Sequence, residues 1–379
     1  MTNIVVLTGN GLSVALNSEF SLPNITKKFF DRLNPEHKAF IEHHMLDKNN
    51  KSDFEECIAY IEKFYDALHI HQSFFRNTLH GDRFIDANGL ELSELMKHEN
   101  SIRESIHLYM ALILEIINGN VKIHQINMKL QGFVSWLTSI IKDENDVDLF
   151  TLNYDLLLET ILLNTLDKGG FIEYYHQAGP WFAVSKEVSR YYFNPEKVKK
   201  NKKNCKTKLY HLHGSLSSFK DMKNNKIFKI KNEVIRKHNI YNRIADLDIV
   251  PSIITGGRKS DKIQETPYNF YYAELVKKMS DLDQLCEELF VIGYSFRDEH
   301  INIAIAERIK IATQSIDPRP LKLVIVDYAT TPEDKVLFIR QINSALGLDI
   351  GAKGRFIEND SRVLFDGANS INCYSHRGE

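Results

Sequence analysis

The chain has 379 residues, of which 43% are hydrophobic and 26% are charged. This composition excludes an intrinsically disordered chain and is typical of a globular protein with a large core. The formal net charge is −2, so no overall positive charge draws the molecule to nucleic acid. The lysine-rich segment Lys197–Lys208 is a local exception. A solvated loop is the favoured interpretation of that segment, and nucleic-acid contact is the alternative.

Four cysteines, Cys57, Cys205, Cys286 and Cys373, are too far apart in sequence to form a Cys-x-x-Cys pair. The sequence therefore predicts neither a zinc ribbon nor another metal site. No signal peptide precedes the first apolar run, so disulfides are not expected. No apolar run is long enough to cross a bilayer, and we expect a cytoplasmic protein without membrane contact.

The first predicted element is the apolar run Ile4–Thr8, which a Gly-x-Gly turn follows at once. Five further runs are typical of buried parallel strands, namely Val147–Leu152, Lys208–His213, Ile249–Thr255, Leu289–Gly293 and Leu321–Asp327. Several are followed by helical patterns, such as Leu156–Leu166 and Glu299–Thr313. This alternation predicts an α/β fold with a Rossmann-like, doubly wound parallel sheet.

Between the first two strands, residues 27–143 predict a large helical insertion. Within it, Ser101–Asn118 is apolar on most faces, and Asn127–Lys142 repeats the helical pattern. A connection of this length is a subdomain and not a loop.

Two regions follow in the second half of the chain. Residues 180–245 are rich in Lys, Asn and Tyr and predict a small, irregular second lobe. Residues 331–379 form a predicted C-terminal extension, with a helix at Pro332–Leu346 and short strands at Arg355–Ile357 and Val363–Phe365.

Glycine and polar residues follow four predicted strands at their carboxyl ends. These segments are Gly9-Asn10-Gly11-Leu12-Ser13, Thr151-Leu152-Asn153-Tyr154-Asp155, His211-Leu212-His213-Gly214-Ser215 and Gly293-Tyr294-Ser295-Phe296-Arg297-Asp298. The carboxyl ends of parallel strands gather at one edge of a sheet, where ligands bind. A glycine turn that leads into a helix is typical of a phosphate site. The sequence thus predicts a nucleotide pocket at this edge.

Each segment also has a simpler interpretation. The glycine turn could be a tight turn that binds nothing, and Asn153 and Asp155 could cap the following helix. His211 and His213 are two residues apart, so they are expected on the same face of their strand. A metal site there needs a third ligand, which the sequence does not show.

These segments resemble the motifs of the sirtuin family, in the same order along the chain. The turn Thr8-Gly9-Asn10-Gly11-Leu12-Ser13 resembles the TGAGxS signature, and Asn153-Tyr154-Asp155 resembles the N-x-D motif. His213-Gly214 resembles the catalytic His-Gly pair, and Gly293-Tyr294-Ser295 resembles the GTS segment. The resemblance implies a sirtuin-like NAD-binding domain over residues 1–330.

The chain also departs from the sirtuin pattern. It lacks the four-cysteine zinc ribbon, and Asn10 stands where sirtuins have alanine. The segments TLNYD, LHGS and GYSFRDEHIN resemble segments of the sirtuin-like effector domains of bacterial anti-phage defence systems. That resemblance implies an NAD hydrolase with NAD as its substrate and no metal.

The reaction that the resemblance implies is cleavage of the nicotinamide–ribose bond through an oxocarbenium-like state. We expect Asn153 and His213 to be the catalytic residues. We expect the pyrophosphate to be bound by Gly9, Asn10, Gly11 and Ser13, through backbone N–H groups and the Ser13 hydroxyl. Asp155 is expected at the nicotinamide side, and Gly293 and Ser295 at the adenosine and phosphate side. Asp327 is expected at the adenine ribose.

An NAD-depleting effector has to be held inactive, so we expect control through homo-oligomerisation or a partner. In the defence systems that the chain resembles, the partner is a HerA-type ATPase, an Argonaute-like protein or a phage component. An NAD-dependent protein deacylase is the alternative, and the missing zinc ribbon argues against it. A non-catalytic NAD or ADP-ribose sensor would need neither Asn153 nor His213. An assembly role for the helical insertion is compatible with hydrolysis.

Overall fold

The computed structural model describes residues 2–44, 54–77, 92–120, 123–143, 145–166, 170–202, 204–255, 259–348, 350 and 362–374. Within these ranges the chain forms two β-sheets with helices packed against them. None of the helices in these ranges combines the length and the apolar character that crossing a membrane requires.

A six-stranded, all-parallel sheet carries the strand ends that the sequence singled out. In spatial order its strands are β11 (Arg362–Leu364), β10 (Lys322–Val326), β9 (Glu288–Ile292), β1 (Asn3–Thr8), β2 (Asp146–Thr151) and β5 (Thr207–His211). Together with the flanking helices, this sheet confirms the predicted α/β, Rossmann-like fold. The strand β1 lies between β2 and β9, so the glycine turn is in the middle of the sheet edge.

Both faces of this sheet are buried, which explains why its strands are continuous apolar runs. Val6 and Phe290 face one core, where the Trp136 ring lies 4.8 Å from the Phe290 ring. Val5 and Phe150 belong to the core on the other face. Alternate residues of one strand therefore support two separate layers of helices.

A second, five-stranded antiparallel sheet occupies the region of the predicted small lobe. In spatial order its strands are β3 (Tyr175–Trp181), β4 (Ser185–Phe193), β7 (Ile227–Lys229), β6 (Gly214–Asp221) and β8 (Ile249–Ile253). The lobe is thus regular where irregular structure was expected. The strands β3 and β4 escaped prediction because most of their residues are half-buried or exposed and form no apolar run. The prediction of a parallel strand at Ile249–Thr255 is wrong, because this run is β8 and pairs antiparallel with β6.

Helices fill the described part of residues 27–143. They are Leu22–Arg32, Pro35–His44, Phe54–Asn77, Leu92–Asn120, Ile123–Lys129 and Gln131–Lys142. The predicted single helix Asn127–Lys142 is two helices, because the chain turns at the buried Leu130. The division of the chain into domains stays a prediction.

The remaining helices flank the two sheets. They are Asn10–Leu16, Leu157–Thr165, Pro195–Asn201, Asn232–Lys237, Lys259–Lys262, Tyr268–Ser280, Glu299–Thr313 and Pro332–Leu346, with 3₁₀ turns at Ser18–Phe20, Ile240–Arg243 and Ala368–Tyr374. Pro332–Leu346 has the predicted bounds, because the Thr331 side chain caps its start and the left-handed Gly347 ends it. The predicted strand at residues 355–357 lies outside the described residues, whereas Val363 belongs to β11.

The lysine-rich segment is only partly a loop. The Asn194 side chain accepts the Lys197 N–H and begins the helix Pro195–Asn201. Lys199 lies 3.5 Å from a carboxylate of Glu274, and Lys208, in β5, lies 3.4 Å from Asp148. A fully solvated loop is therefore a wrong interpretation of this segment, and nucleic-acid contact stays untested.

Candidate functional site

The glycine turn after β1 is packed directly against the end of β9. Gly9 donates its N–H to the carbonyl of Ile292 at 2.9 Å, and Gly11 donates its N–H to the carbonyl of Gly293 at 2.9 Å. A Cβ atom on Gly11 would lie 2.6 Å from the Cα of Gly293, so the contact admits only glycine. The sequence predicted that these amides bind pyrophosphate. The structure corrects this point, because both amides already have backbone partners.

Asn153 follows β2 and is only 7% exposed. Its side-chain nitrogen lies 3.0 Å from the carbonyl oxygen of Gly9 and 2.9 Å from the hydroxyl oxygen of Ser13. A carbonyl can only accept, so the amide nitrogen has to face Gly9, which leaves Oδ1 as an acceptor. No donor among the described residues reaches that oxygen.

Ser13 and Asp155 hold Asn153 in this orientation. The fully buried Ser13 hydroxyl donates to Asp155 Oδ2 at 2.6 Å and can thus accept from Asn153. Asp155 Oδ1 accepts the Leu157 N–H at 2.8 Å. Burial raises the pKa of Asp155, and the bonds from Ser13 and Leu157 partly offset that effect. The three side chains form one buried polar network behind the glycine turn.

His213 lies in the turn between β5 and β6 and is 3% exposed. Its imidazole donates a hydrogen bond to the backbone of Leu152, while its Nε2 is buried without a partner among the described residues. Burial lowers the pKa of His213 to about 3; Lys259 and His300 act in the same direction, and Asp298 opposes them. The imidazole is therefore neutral at pH 7, and Nε2 is an acceptor.

Asp298 and Lys259 form an ion pair beside His213. Asp298 precedes the helix Glu299–Thr313, but its side chain does not cap the helix and instead accepts from Lys259 Nζ at 2.7 Å. Burial raises the pKa of Asp298, but His213 and Lys259 outweigh burial, so the net shift is downwards. Lys259 Nζ also lies 3.8 Å from a carboxylate oxygen of Glu55, in the helix Phe54–Asn77. The helical insertion therefore reaches the surroundings of His213.

His211 has a different environment from His213. The strand β5 ends at His211, so the alternation of side chains does not extend to His213, and the prediction that they share a face is wrong. His211 Nε2 lies 3.3 Å from Glu173 and 3.7 Å from Glu159. These three side chains have the spacing of a metal site. However, the ammonium of Lys229 lies 2.5 Å from Glu173 and 3.1 Å from Glu159, so it already supplies a cation there.

Three other predicted residues make hydrogen bonds within the protein. Asn10 donates from its side chain to the carbonyl of Phe20 at 3.0 Å, which ties the turn to the segment after it. The exposed Ser295 accepts the side-chain amide of Gln341 at its carbonyl. Asp327 directly follows β10; its side chain accepts the N–H of the next residue at 2.8 Å, and burial raises its pKa.

One cavity of about 760 Å³ brings these strand ends together. The predicted site residues that line it are Gly9, Asn10, Gly11, Asn153, Asp155, His213, Gly293, Ser295 and Asp327. Ser13 does not line the cavity, because it is buried behind Asn153.

Sequence reasoning missed several residues that line this cavity. Arg297 and Asp298 lie in a strand end that the sequence had singled out, so a search of its whole length would have found them. Phe54, Glu55 and Lys259 carry no local signal, because only tertiary packing brings them to the cavity.

One comparison with known proteins identifies a family for this chain. A family model described as a SIR2-like domain matches residues 147–346. That range includes Asn153, His213 and Asp327 but begins after the glycine turn, which the fold adds to the same cavity. A search of the curated proteins found no match. The family match and the parallel sheet confirm the sirtuin-like resemblance, and SIR2-like domains are NAD-binding folds. The chain therefore belongs to the SIR2-like family.

Proposed function

We propose that this protein hydrolyses the nicotinamide–ribose bond of NAD to give nicotinamide and ADP-ribose. The observation that carries the proposal is a pair of acceptors on two cavity-lining side chains, Asn153 Oδ1 and His213 Nε2, which no donor among the described residues reaches. Ribose hydroxyls and water are the donors that such acceptors take. The cavity volume, about 760 Å³, is within the usual range for ligand pockets.

In this proposal neutral His213 is the proton acceptor, and the burial that lowers its pKa also makes it a weak base. The bond between C1′ of the ribose and the nicotinamide nitrogen breaks, and its electron pair neutralises the cationic ring, so no strong acid is needed. The oxygen of a water molecule bonds to C1′, and its proton goes to His213 Nε2. Asn153 orients the ribose or the water, and the carboxylate of Asp298 stabilises the imidazolium that forms.

The other side chains receive supporting roles in this proposal. Ser13 and Asp155 position Asn153 through the buried network. Gly9, Asn10 and Gly11 pack along the phosphates, Gly293 and Ser295 line the adenosine and phosphate side, and Asp327 binds the hydroxyls of the adenine ribose.

The biological role that we propose is an NAD-depleting effector in anti-phage defence, held inactive by oligomerisation or by a partner. Support comes from the resemblance of TLNYD and GYSFRDEHIN to such effectors. A HerA-type ATPase, an Argonaute-like protein and a phage component are the partner candidates.

The test is to incubate the purified protein with NAD and to follow nicotinamide and ADP-ribose, with and without an acetyl-lysine peptide. Peptide-independent ADP-ribose supports the hydrolase, and a peptide-dependent O-acetyl product supports the deacylase. Asn153→Ala and His213→Ala should abolish the reaction, whereas His124→Ala, at an exposed site outside the cavity, should not. Tight NAD binding without turnover, with or without the candidate partners, would identify a sensor.

A further inference from the structure

The cavity contains more acidic than basic side chains. Among the described residues, five carboxyl groups and three basic side chains line it. A dinucleotide has a negative charge on each phosphate, so such a surface repels it unless a cation is free to bind. The amides of Gly9 and Gly11 are already hydrogen-bonded to Ile292 and Gly293. If NAD is the substrate, as proposed above, its pyrophosphate needs a cationic side chain.

Of the three basic side chains, Arg297 is the one whose loop begins at Gly293, and Gly293 accepts the N–H of Gly11 in the glycine turn. Lys259 is paired with Asp298. Lys129 is exposed at the end of the helix Ile123–Lys129, and its backbone carbonyl accepts from the Asn369 side chain at 2.7 Å. Arg297 is exposed and, within the described ranges, has neither an ion-pair nor a hydrogen-bond partner.

The loop that carries Arg297 has an unusual and firmly anchored backbone. Phe296 has a φ of 55°, in the left-handed region that bulky residues rarely adopt. Its ring is buried 4.8 Å from the Tyr294 ring, and its carbonyl accepts from the side chain of Asn302 at 2.9 Å. The neighbours on either side, Ser295 and Arg297, are exposed and line the cavity. Such a strained but well-held position is typical of a functional loop.

We propose that Arg297 binds the pyrophosphate of NAD. The loop begins at Gly293, which touches the glycine turn, so Arg297 is attached to the part of the cavity where the phosphates are expected. A guanidinium matches phosphate oxygens with paired N–H groups. The anchored Phe296 keeps the backbone of Arg297 in place, so binding orders only its side chain.

Binding of ADP-ribose and of adenosine, measured by calorimetry on the full chain, tests this proposal. Arg297→Gln should weaken ADP-ribose binding by about ten- to one-hundredfold, because a hydrogen-bonded charge pair is lost. Adenosine binding should stay unchanged, since adenosine has no phosphate, and this also shows that the site is folded. Arg297→Lys should recover part of the affinity. The matched control is Arg236→Gln, at an exposed site outside the cavity.

Two results would overturn the assignment while leaving the proposed function intact. One is parent-like ADP-ribose binding by Arg297→Gln. The other is selective loss of ADP-ribose binding in Lys129→Gln instead. If the parent protein binds neither NAD nor ADP-ribose, the proposed function itself fails, and the role of Arg297 fails with it.

Discussion

The substitution Ser13→Ala tests whether Ser13 positions Asn153 or contacts the pyrophosphate, as the sequence predicted. Its hydroxyl is 0% exposed, donates to Asp155 at 2.6 Å and accepts from Asn153 at 2.9 Å. Ser13→Ala leaves both partners short of one hydrogen bond, and no solvent reaches the gap. A bond to a charged group contributes about 1.5–3 kcal/mol and a neutral one about 0.5–1.5 kcal/mol. We therefore expect the free energy of unfolding to fall by about 2–4 kcal/mol.

The loss of stability should depend on pH. Burial raises the folded-state pKa of Asp155, so its contribution to stability is fully present below the unfolded pKa and is lost as the pH rises through the folded pKa. The bond from Ser13 lowers that pKa, and its removal raises the pKa further. The difference between parent and Ser13→Ala should therefore grow as the pH rises from about 4 to 7.

Urea denaturation at both pH values and NAD turnover measure these effects. Because Asn153 loses a fixed partner, kcat should fall by about ten- to one-hundredfold with little change in KM. The exposed Ser280→Ala should change stability by less than about 0.5 kcal/mol. A raised KM with parent-like kcat and stability would refute the reasoning and favour a direct phosphate contact.

Three further predictions follow from the site. Because burial lowers the pKa of His213 to about 3, kcat/KM for NAD should stay level between about pH 5 and 8, and a titration near 6.5 would contradict a buried neutral base. Lys259→Met removes a positive charge that lowers the pKa of His213, so an NMR titration of the imidazole should show a raised pKa in this variant but not in Lys259→Arg. An unchanged pKa of His213 in Lys259→Met would exclude the coupling. Gly293→Ala places a Cβ 2.4 Å from the Leu12 nitrogen at a φ of 61°, so we expect a loss of more than about 3 kcal/mol in urea denaturation. Gly347→Ala, with a φ of 64° but open space, should lose only about 1 kcal/mol, and equal losses would show that the contact with the glycine turn is unimportant.

The sequence predicted those parts of the fold that have a local cause. Apolar runs with both faces buried identified five strands of the parallel sheet. The helical pattern predicted Pro332–Leu346 with the right bounds, and in the structure the Thr331 cap and the left-handed Gly347 set those bounds. The strands β3 and β4 were missed because they have too few buried positions for a visible pattern.

In the candidate site, too, only the features with a local cause in the sequence were predictable. Glycine and polar residues at strand ends indicated Asn153 and His213, which line one cavity. The direction of the Ser13 hydroxyl was not predictable, because it depends on Asp155, which lies 142 residues further along the chain. The ion pair of Lys259 and Asp298 likewise depends on tertiary packing, and Asp298 alone has the sequence signature of a helix cap.

The place of β1 in the sheet has a consequence for how the protein is made. Strand β1 pairs on one side with β9, whose residues are synthesised about 280 positions later. Until β9 leaves the ribosome, Gly9 and Gly11 have no partner strand end, and one edge of β1 is unpaired. If the chain hydrolyses NAD, as proposed, a growing chain should be unable to consume the NAD of the cell that makes it. A chain truncated before residue 288 that consumed NAD at the parent rate would disprove this safeguard.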